Sequence, residues 1–404
     1  MKARLTALSL ALLLLCGCGV SPTAKSKDLT KSVTPQTVEQ PAQYDADKTA
    51  VAVSDFSIRL LQNADDGENI LLSPLSVLCA LSMTANGAEN ETLAQMEAIL
   101  GAPVANLNHW VSEVAFRDEL TMANGIWLKE QADFTVNPDF LTTNATYYDA
   151  AIYEAPFDES TKDEINAFVR ENTNGMIENI LDQIPSNALM YLVNALAFDA
   201  DWTEEYHGAY DRTFTCEDGT ESTVPMMYSD EFAYLQDDNA TGFLKYYKGD
   251  HYAFAALLPN EGVTISDYLE TLDGAHLQEL FLHPQDIMVD AGLPKFEQEY
   301  DEELSELLQE MGMTDAFDFD RADFSGIGSG PENIAISRVL HKAKISVTET
   351  GTKAGAATVV EIAEGAAMPP EDLKTVILDR PFLYFLIDTE SGLPIFTGIF
   401  RTPA

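Results

Sequence analysis

The run Met190–Phe198 reads Met-Tyr-Leu-Val-Asn-Ala-Leu-Ala-Phe, almost unbroken apolar sequence. A run of this length is expected of a strand buried on both faces, so the fold needs a sheet with material above and below it. Tyr252–Leu258 and Ile287–Leu293 are also strand-like. Ala343, Ile345 and Val347 alternate with Lys342, Lys344 and Ser346, the pattern of a half-buried strand. Phe382–Ile387 and Ile395–Phe400 flank Asp388-Thr389-Glu390-Ser391-Gly392, a hairpin signal. Helical patterns come earlier in the chain. Ser54–Leu61 is amphipathic, Ser73-Pro74 opens a helix through Met83, and Thr92–Leu100 ends at Gly101. Thr161-x-x-Glu164 reads as a capping box for a helix carrying Ile165, Phe168, Val169 and Ile177, with Asn174-Gly175 as its stop. Helices first and long strands later predict an α+β fold.

The chain has 404 residues, and from Tyr44 onward no second linker, repeat or low-complexity stretch divides it. Residues 46–404 therefore read as one domain. Asp and Glu number 66 against 23 Lys and Arg, a formal charge of −43 spread along the chain. Nucleic acid and anionic membrane surfaces are excluded as partners, because both need basic patches.

Lys2 and Arg4 precede an apolar run, Leu5–Leu15, too short to span a bilayer and followed at once by small residues. Residues 1–17 read as a targeting segment. Leu15-Cys16-Gly17-Cys18 resembles the lipobox of bacterial lipoproteins. That resemblance implies cleavage before Cys18, a lipid on its sulfur and an extracellular, cell-envelope location. An ordinary secretory signal is the alternative. Residues 18–45, rich in Ser, Thr, Lys, Pro and Gln, read as the lipidated Cys followed by a flexible linker. Of the two remaining cysteines, Cys79 lies in an apolar run and is expected to be a buried thiol.

No enzyme signature emerges. The six histidines form no His-Glu-x-x-His, there is no Gly-x-Ser-x-Gly, and Gly326, Gly328 and Gly330 match no nucleotide loop. Neither a metal nor a cofactor is expected.

Residues 349–370 are unusual for a connection. Thr352, Ala354, Ala356, Thr358, Val360 and Ile362 are uncharged and mostly small, while Lys353 and Glu361 fall on the opposite parity. This is a strand with one face fit for burial. Taken alone, it is equally an ordinary small-residue strand or a floppy loop.

The segment resembles the hinge and reactive loop of inhibitory serpins, and the likeness runs from about residue 50 to the C-terminus. Asn69-Ile70-Leu71-Leu72-Ser73-Pro74-Leu75-Ser76, Thr173-Asn174-Gly175, Val193-Asn194-Ala195 and Trp202 match the family in order. So do Leu293-Pro294-Lys295-Phe296, Thr314-Asp315-Ala316-Phe317, Ala322-Asp323-Phe324-Ser325-Gly326-Ile327, His341-Lys342-Ala343 and Arg380-Pro381-Phe382. The resemblance implies a large central mixed sheet, two further sheets, about eight or nine helices and an exposed reactive loop. It implies a monomeric, non-enzymatic inhibitor that traps serine proteases covalently as an acyl complex. It assigns Glu349, Gly351, Thr352, Ala354, Gly355, Ala356 and Ala357 to the hinge. Lys295 and Trp202 belong to the breach at the top of the sheet, with Glu349 paired to Lys295. Ser73, Ser76, Asn194 and His341 form the shutter. Counting from Glu349 puts the scissile bond at Gly365–Ala366, within two or three positions. Gly365, Ala366 and Ala367 imply an elastase-like or subtilisin-like target. The stretch Gly101–Leu120 is too short for a full helix D and lacks its basic face, so no heparin partner is implied. Two alternatives are a non-inhibitory serpin acting as carrier or chaperone, and a lipoprotein that captures small molecules.

Overall fold

The computed structural model describes residues 26–114, 120–330, 333–352 and 372–403. Met190–Phe198 forms a strand over its whole length, every residue of it buried. Its side chains alternate between two environments, as a strand's period of two requires. Tyr191, Val193 and Ala195 face a cluster completed by Ile165 and Val169 of the helix Glu159–Asn172. Met190, Leu192, Leu196 and Phe198 face the main core, shared with the wholly buried helix Pro74–Ala85.

This strand is central to an eight-stranded main sheet. The order is Lys27–Asp28, Ala151–Ala155, Leu120–Lys129, Met190–Phe198, Arg338–Val347, Gly351–Thr352, Ala200–Asp201, with Phe296–Glu303 also on Arg338–Val347. It is mixed: Met190–Phe198 runs antiparallel to Leu120–Lys129 and parallel to Arg338–Val347. A second sheet has nine strands and a third has two. The second exceeds the main sheet because Glu221–Gln236, 16 residues long, pairs with three neighbours and merges two groups of strands. Nine α-helices lie among the described residues. The fold is α+β.

Two local readings of the sequence are corrected. Thr161 does not cap its helix. Asp158 does, accepting from the backbone N–H of Ser160 and Thr161, and the Thr161 hydroxyl instead accepts from Phe157 N at 3.1 Å. An aspartate three residues earlier makes the stronger cap. Second, residues 26–45 are not free tether. Lys27–Asp28 adds to the edge of Ala151–Ala155, Leu29 N donates to Ile152 O at 2.8 Å, and Tyr44 packs edge-on against His109. Scattered Ser, Thr and Lys conceal one short edge strand, whose backbone bonds need no apolar pattern. Gly101 does stop its helix, with a φ of 79°.

Candidate functional site at the top of the main sheet

Beyond Val347 the chain turns tightly and starts a new strand. Val347 stands opposite Thr352, and Thr348 N donates to Gly351 O at 2.9 Å. On the other side Gly351 and Thr352 pair with Asp201 and Ala200. Three successive carbonyls of the turn are held. Trp202 Nε1 donates to Thr348 O, Tyr206 N to Glu349 O and Trp202 N to Thr350 O, at 2.9, 2.8 and 2.9 Å. Glycine is required at 351, since a Cβ there would lie 2.2 Å from Ala200 O. Thr352 is buried, and its hydroxyl shares a 2.6 Å hydrogen bond with Tyr247 OH. Tyr247 in turn stacks on Trp202 at 4.3 Å.

Charges surround this turn. Lys295 Nζ donates to both Glu349 carboxylate oxygens, at 2.9 and 3.2 Å. Burial is the largest single influence and pushes the Glu349 carboxyl up, but the hydrogen bond and charge of Lys295 together with a backbone hydrogen bond outweigh it, and the net shift is downward. The pair is partly exposed, so it contributes about 1 kcal/mol or less. Deeper in, the fully buried Lys245 ammonium sits 2.7 Å from Glu231 and 4.2 Å from the Tyr206 ring centroid. It props the aromatic platform from below, and its buried charge is matched by Glu231.

Lower in the same sheet, three polar residues cross adjacent strands at one level. Asn124 stands opposite Asn194, and Asn194 opposite His341. Asn194 donates to Asn124 and accepts from the Ser76 hydroxyl. Ser73 N donates to His341 Nε2 at 3.1 Å, and Ser73 Oγ donates to Ile395 O at 3.0 Å. The row therefore ties the sheet to the N-terminus of helix Pro74–Ala85, where Ser73 is the cap.

His341 is an acceptor here and must be neutral. Burial lowers its pKa from 6.5 to about 4. The unfolded chain takes up this proton near pH 6.5 and the folded chain only near pH 4. The contribution of His341 is thus fully present above pH 6.5, falls between pH 6.5 and 4, and is lost below. At about 1.4 kcal/mol per pH unit, the loss is about 3 kcal/mol. Denaturation midpoints across this window should fall more steeply for wild type than for His341→Gln. Parallel curves would refute a titrating role for this side chain.

The ladder between Met190–Phe198 and Arg338–Val347 runs from Tyr191↔Arg338 to Ala195↔Lys342 and stops there. Above that level a cleft of 570 Å³ is lined by Asn174–Asn179, Asp199, Glu297, Glu299, Lys342 and Lys344. Lys342 reaches Asp301 at 2.7 Å and Glu299 at 3.0 Å, and Lys344 reaches Glu297 at 2.7 Å.

Glu349, Gly351, Thr352, Lys295 and Trp202 thus meet at the top of the sheet, and Ser73, Ser76, Asn194 and His341 meet in its middle. Cys18, Ala354, Gly355, Ala356, Ala357, Gly365 and Ala366 lie outside the described residues. Sequence reasoning missed Asn124, Tyr247, Lys245 and Glu231. Asn124-Gly125 looks like a hairpin turn in sequence, yet it sits inside Leu120–Lys129. A buried lysine gives no sequence signal of its own.

Comparison with known proteins agrees with this geometry. Residues 51–403 match the family described as Serpin (serine protease inhibitor). An uncharacterized serpin-like protein of Thermococcus kodakarensis is 30% identical, over 87% of this chain and 85% of its own. The leukocyte elastase inhibitor of Bos taurus is 31% identical, over 89% of this chain and 100% of its own. The crystal structure of tengpin, a thermophilic serpin, in its native state superposes with a TM-score of 0.86 at 43% identity, covering 94% of this chain and 100% of that one. Its latent state gives a TM-score of 0.77. The chain belongs to the serpin family, whose members are generally inhibitors of proteases.

Proposed function

We propose that the protein is a suicide-substrate inhibitor of serine proteases of elastase-like or subtilisin-like specificity. Its signal peptide is residues 1–17, and a lipid on Cys18 holds the domain outside the cell. The observation that carries the inhibitory reading is the strand begun by Gly351 and Thr352 at the top of the main sheet, above two strands that pair directly with each other. Gly351 and Thr352 are paired on both sides, while below them Arg338–Lys342 pair directly with Tyr191–Ala195. Small uncharged residues at alternate positions follow Thr352 in the sequence, suited to pass between two strands.

In this reading a protease attacks the bond at Gly365–Ala366, and its serine becomes esterified to the carbonyl of Gly365 as the amine of Ala366 leaves. Freed at one end, the segment beyond Thr352 enters the main sheet as a new strand. About 15 residues at roughly 3.3 Å each carry the tethered enzyme on the order of 50 Å. The enzyme is distorted before water hydrolyses the ester. The inhibitor supplies no catalytic residue. Glu349, Gly351, Thr352, Ala354, Gly355, Ala356 and Ala357 act as the hinge. Lys295 and Trp202 hold the entry point, and Ser73, Ser76, Asn194 and His341 guard the middle of the sheet.

The name of the bovine relative, an elastase inhibitor, supports the target class together with Gly365, Ala366 and Ala367. Incubation with elastase should yield an equimolar complex that survives boiling in SDS. A carrier would yield none. Rapid stoichiometric trapping of trypsin with none of elastase would refute the specificity, since no Lys or Arg lies between Ala354 and Leu373. Cys18→Ser should release the protein into the medium or leave it unprocessed. Membrane fractionation with the signal still removed would refute the lipid anchor.

A further inference from the structure

Trp202 and Tyr206 hold the turn at the top of the main sheet, yet the stretch between them has no regular structure of its own. From Asp201 at the end of one strand to Ala209 at the start of the next there is neither helix nor strand. No ladder therefore fixes where the Tyr206 N–H points, although it carries the 2.8 Å bond to Glu349 O. Its placement must come from anchors on either side. Toward Trp202 these are ample: the indole stacks on Tyr247, and Thr203 N donates to Tyr246 O at 3.0 Å. Toward Tyr206, Glu205 reaches the exposed Lys248 at 3.4 Å, an ion pair of little worth in water. Tyr206 itself is buried, and its ring centroid lies 4.2 Å from the Lys245 ammonium.

Lys245 belongs to Ala240–Tyr246 and Glu231 to Glu221–Gln236, both strands of the nine-stranded sheet. The lysine side chain is 1% exposed and meets Glu231 at 2.7 Å. Glu231 is steadied by the Ser229 hydroxyl at 2.6 Å. Enclosing such a pair costs much desolvation, and apolar residues of similar volume often serve a fold as well or better. Stability alone does not account for it. What two apolar side chains could not supply is a cation against an aromatic face, an attraction that strengthens where water is excluded. The same ammonium lies 5.5 Å from the Trp202 ring centroid. Both residues that donate to the carbonyls of the turn therefore face one buried charge.

We propose that the Lys245–Glu231 pair is a positioning element for trapping: the ammonium holds the Tyr206 ring, the ring fixes the Tyr206 N–H on the Glu349 carbonyl, and the hinge stays seated while a protease is caught. Glu231 keeps the lysine charged and aimed at the ring. The proposal rests on the inhibitory reading above and adds two residues of the second sheet that act through Tyr206.

Two variants of the full chain separate positioning from stability. Lys245→Met with Glu231→Met removes both charges together and should melt no lower than wild type. Tyr206→Leu leaves the pair intact and removes the ring. In each, hydrogen exchange of the Tyr206 amide should quicken about three- to thirtyfold, the range for one lost cation–π contact. Their stoichiometry of inhibition with elastase should rise above one. Tyr206→Phe keeps the ring face and should match wild type in both measurements. Because the pair acts through the ring, all three substitutions combined should be no worse than Tyr206→Leu alone. Unchanged exchange, or faster exchange with elastase still trapped one to one, overturns the positioning role and leaves the inhibitory reading standing. A wild-type protein that forms no SDS-stable complex overturns the inhibitory reading, and the role in trapping with it.

Discussion

Cleavage near Gly365 should raise the melting temperature of the protein, where a nick in an ordinary domain lowers it. In the intact chain the direct ladder between Tyr191–Ala195 and Arg338–Lys342 spans five rungs, and the cleft above it is polar. A new strand between these two would gain a ladder on each side. If roughly ten residues each gain a net 1 kcal/mol, the sum is about 10 kcal/mol, comparable to the whole stability of a typical domain. At about 2.1 cal/mol/K of unfolding entropy per residue, that corresponds to a rise of about 13 °C. Calorimetry before and after limited elastase digestion measures it. A cleaved protein melting at or below the intact one would sink the inhibitory mechanism.

Thr352→Arg should convert the inhibitor into a substrate. Thr352 is buried against Tyr247, with its hydroxyl 2.6 Å from Tyr247 OH. An unpaired guanidinium there is costly to desolvate. Thr352 is already seated between Val347 and Ala200, so an arginine that cannot stay buried there unseats the hinge and delays the insertion behind it in a race against deacylation. An added barrier of about 1.4 kcal/mol slows insertion tenfold, and the burial of a lone charge costs more. The stoichiometry of inhibition should rise well above one while the loop is still cut. Gly351→Val is a second route to the same result, through its clash with Ala200 O. If both variants still trap elastase one to one, the hinge assignment is wrong.

What could be read from the sequence depended on how local the signal was. Met190–Phe198 was fully legible because burial on both faces leaves a continuous apolar run, and Gly101 because a positive φ selects glycine. The order of motifs from Asn69 to Phe382 carried the family. The hinge stood out by parity alone, since inward positions must be small whatever they touch. Asn124 was hidden by its following glycine, and Lys245 by the fact that its partner Glu231 is supplied by another strand. Lys27–Asp28 was hidden because edge pairing uses backbone groups, which every residue has. The union of two strand groups by Glu221–Gln236 is a matter of strand length and bending, to which hydrophobic alternation is blind.

The docking of Lys27–Asp28 on Ala151–Ala155 would shorten the proposed lipid leash. With a lipid on Cys18, only about nine residues separate the bilayer from the folded body, and a fully extended chain of that length reaches roughly 30 Å. A free linker to residue 45 would have allowed about three times as much. The domain would thus ride close to the bilayer with one edge of its main sheet always nearest it. A protease swung on the order of 50 Å during trapping travels farther than the leash is long. Spent complexes would then accumulate as a coat on the cell that made them, and clearing that coat would require turnover of the membrane protein itself rather than diffusion.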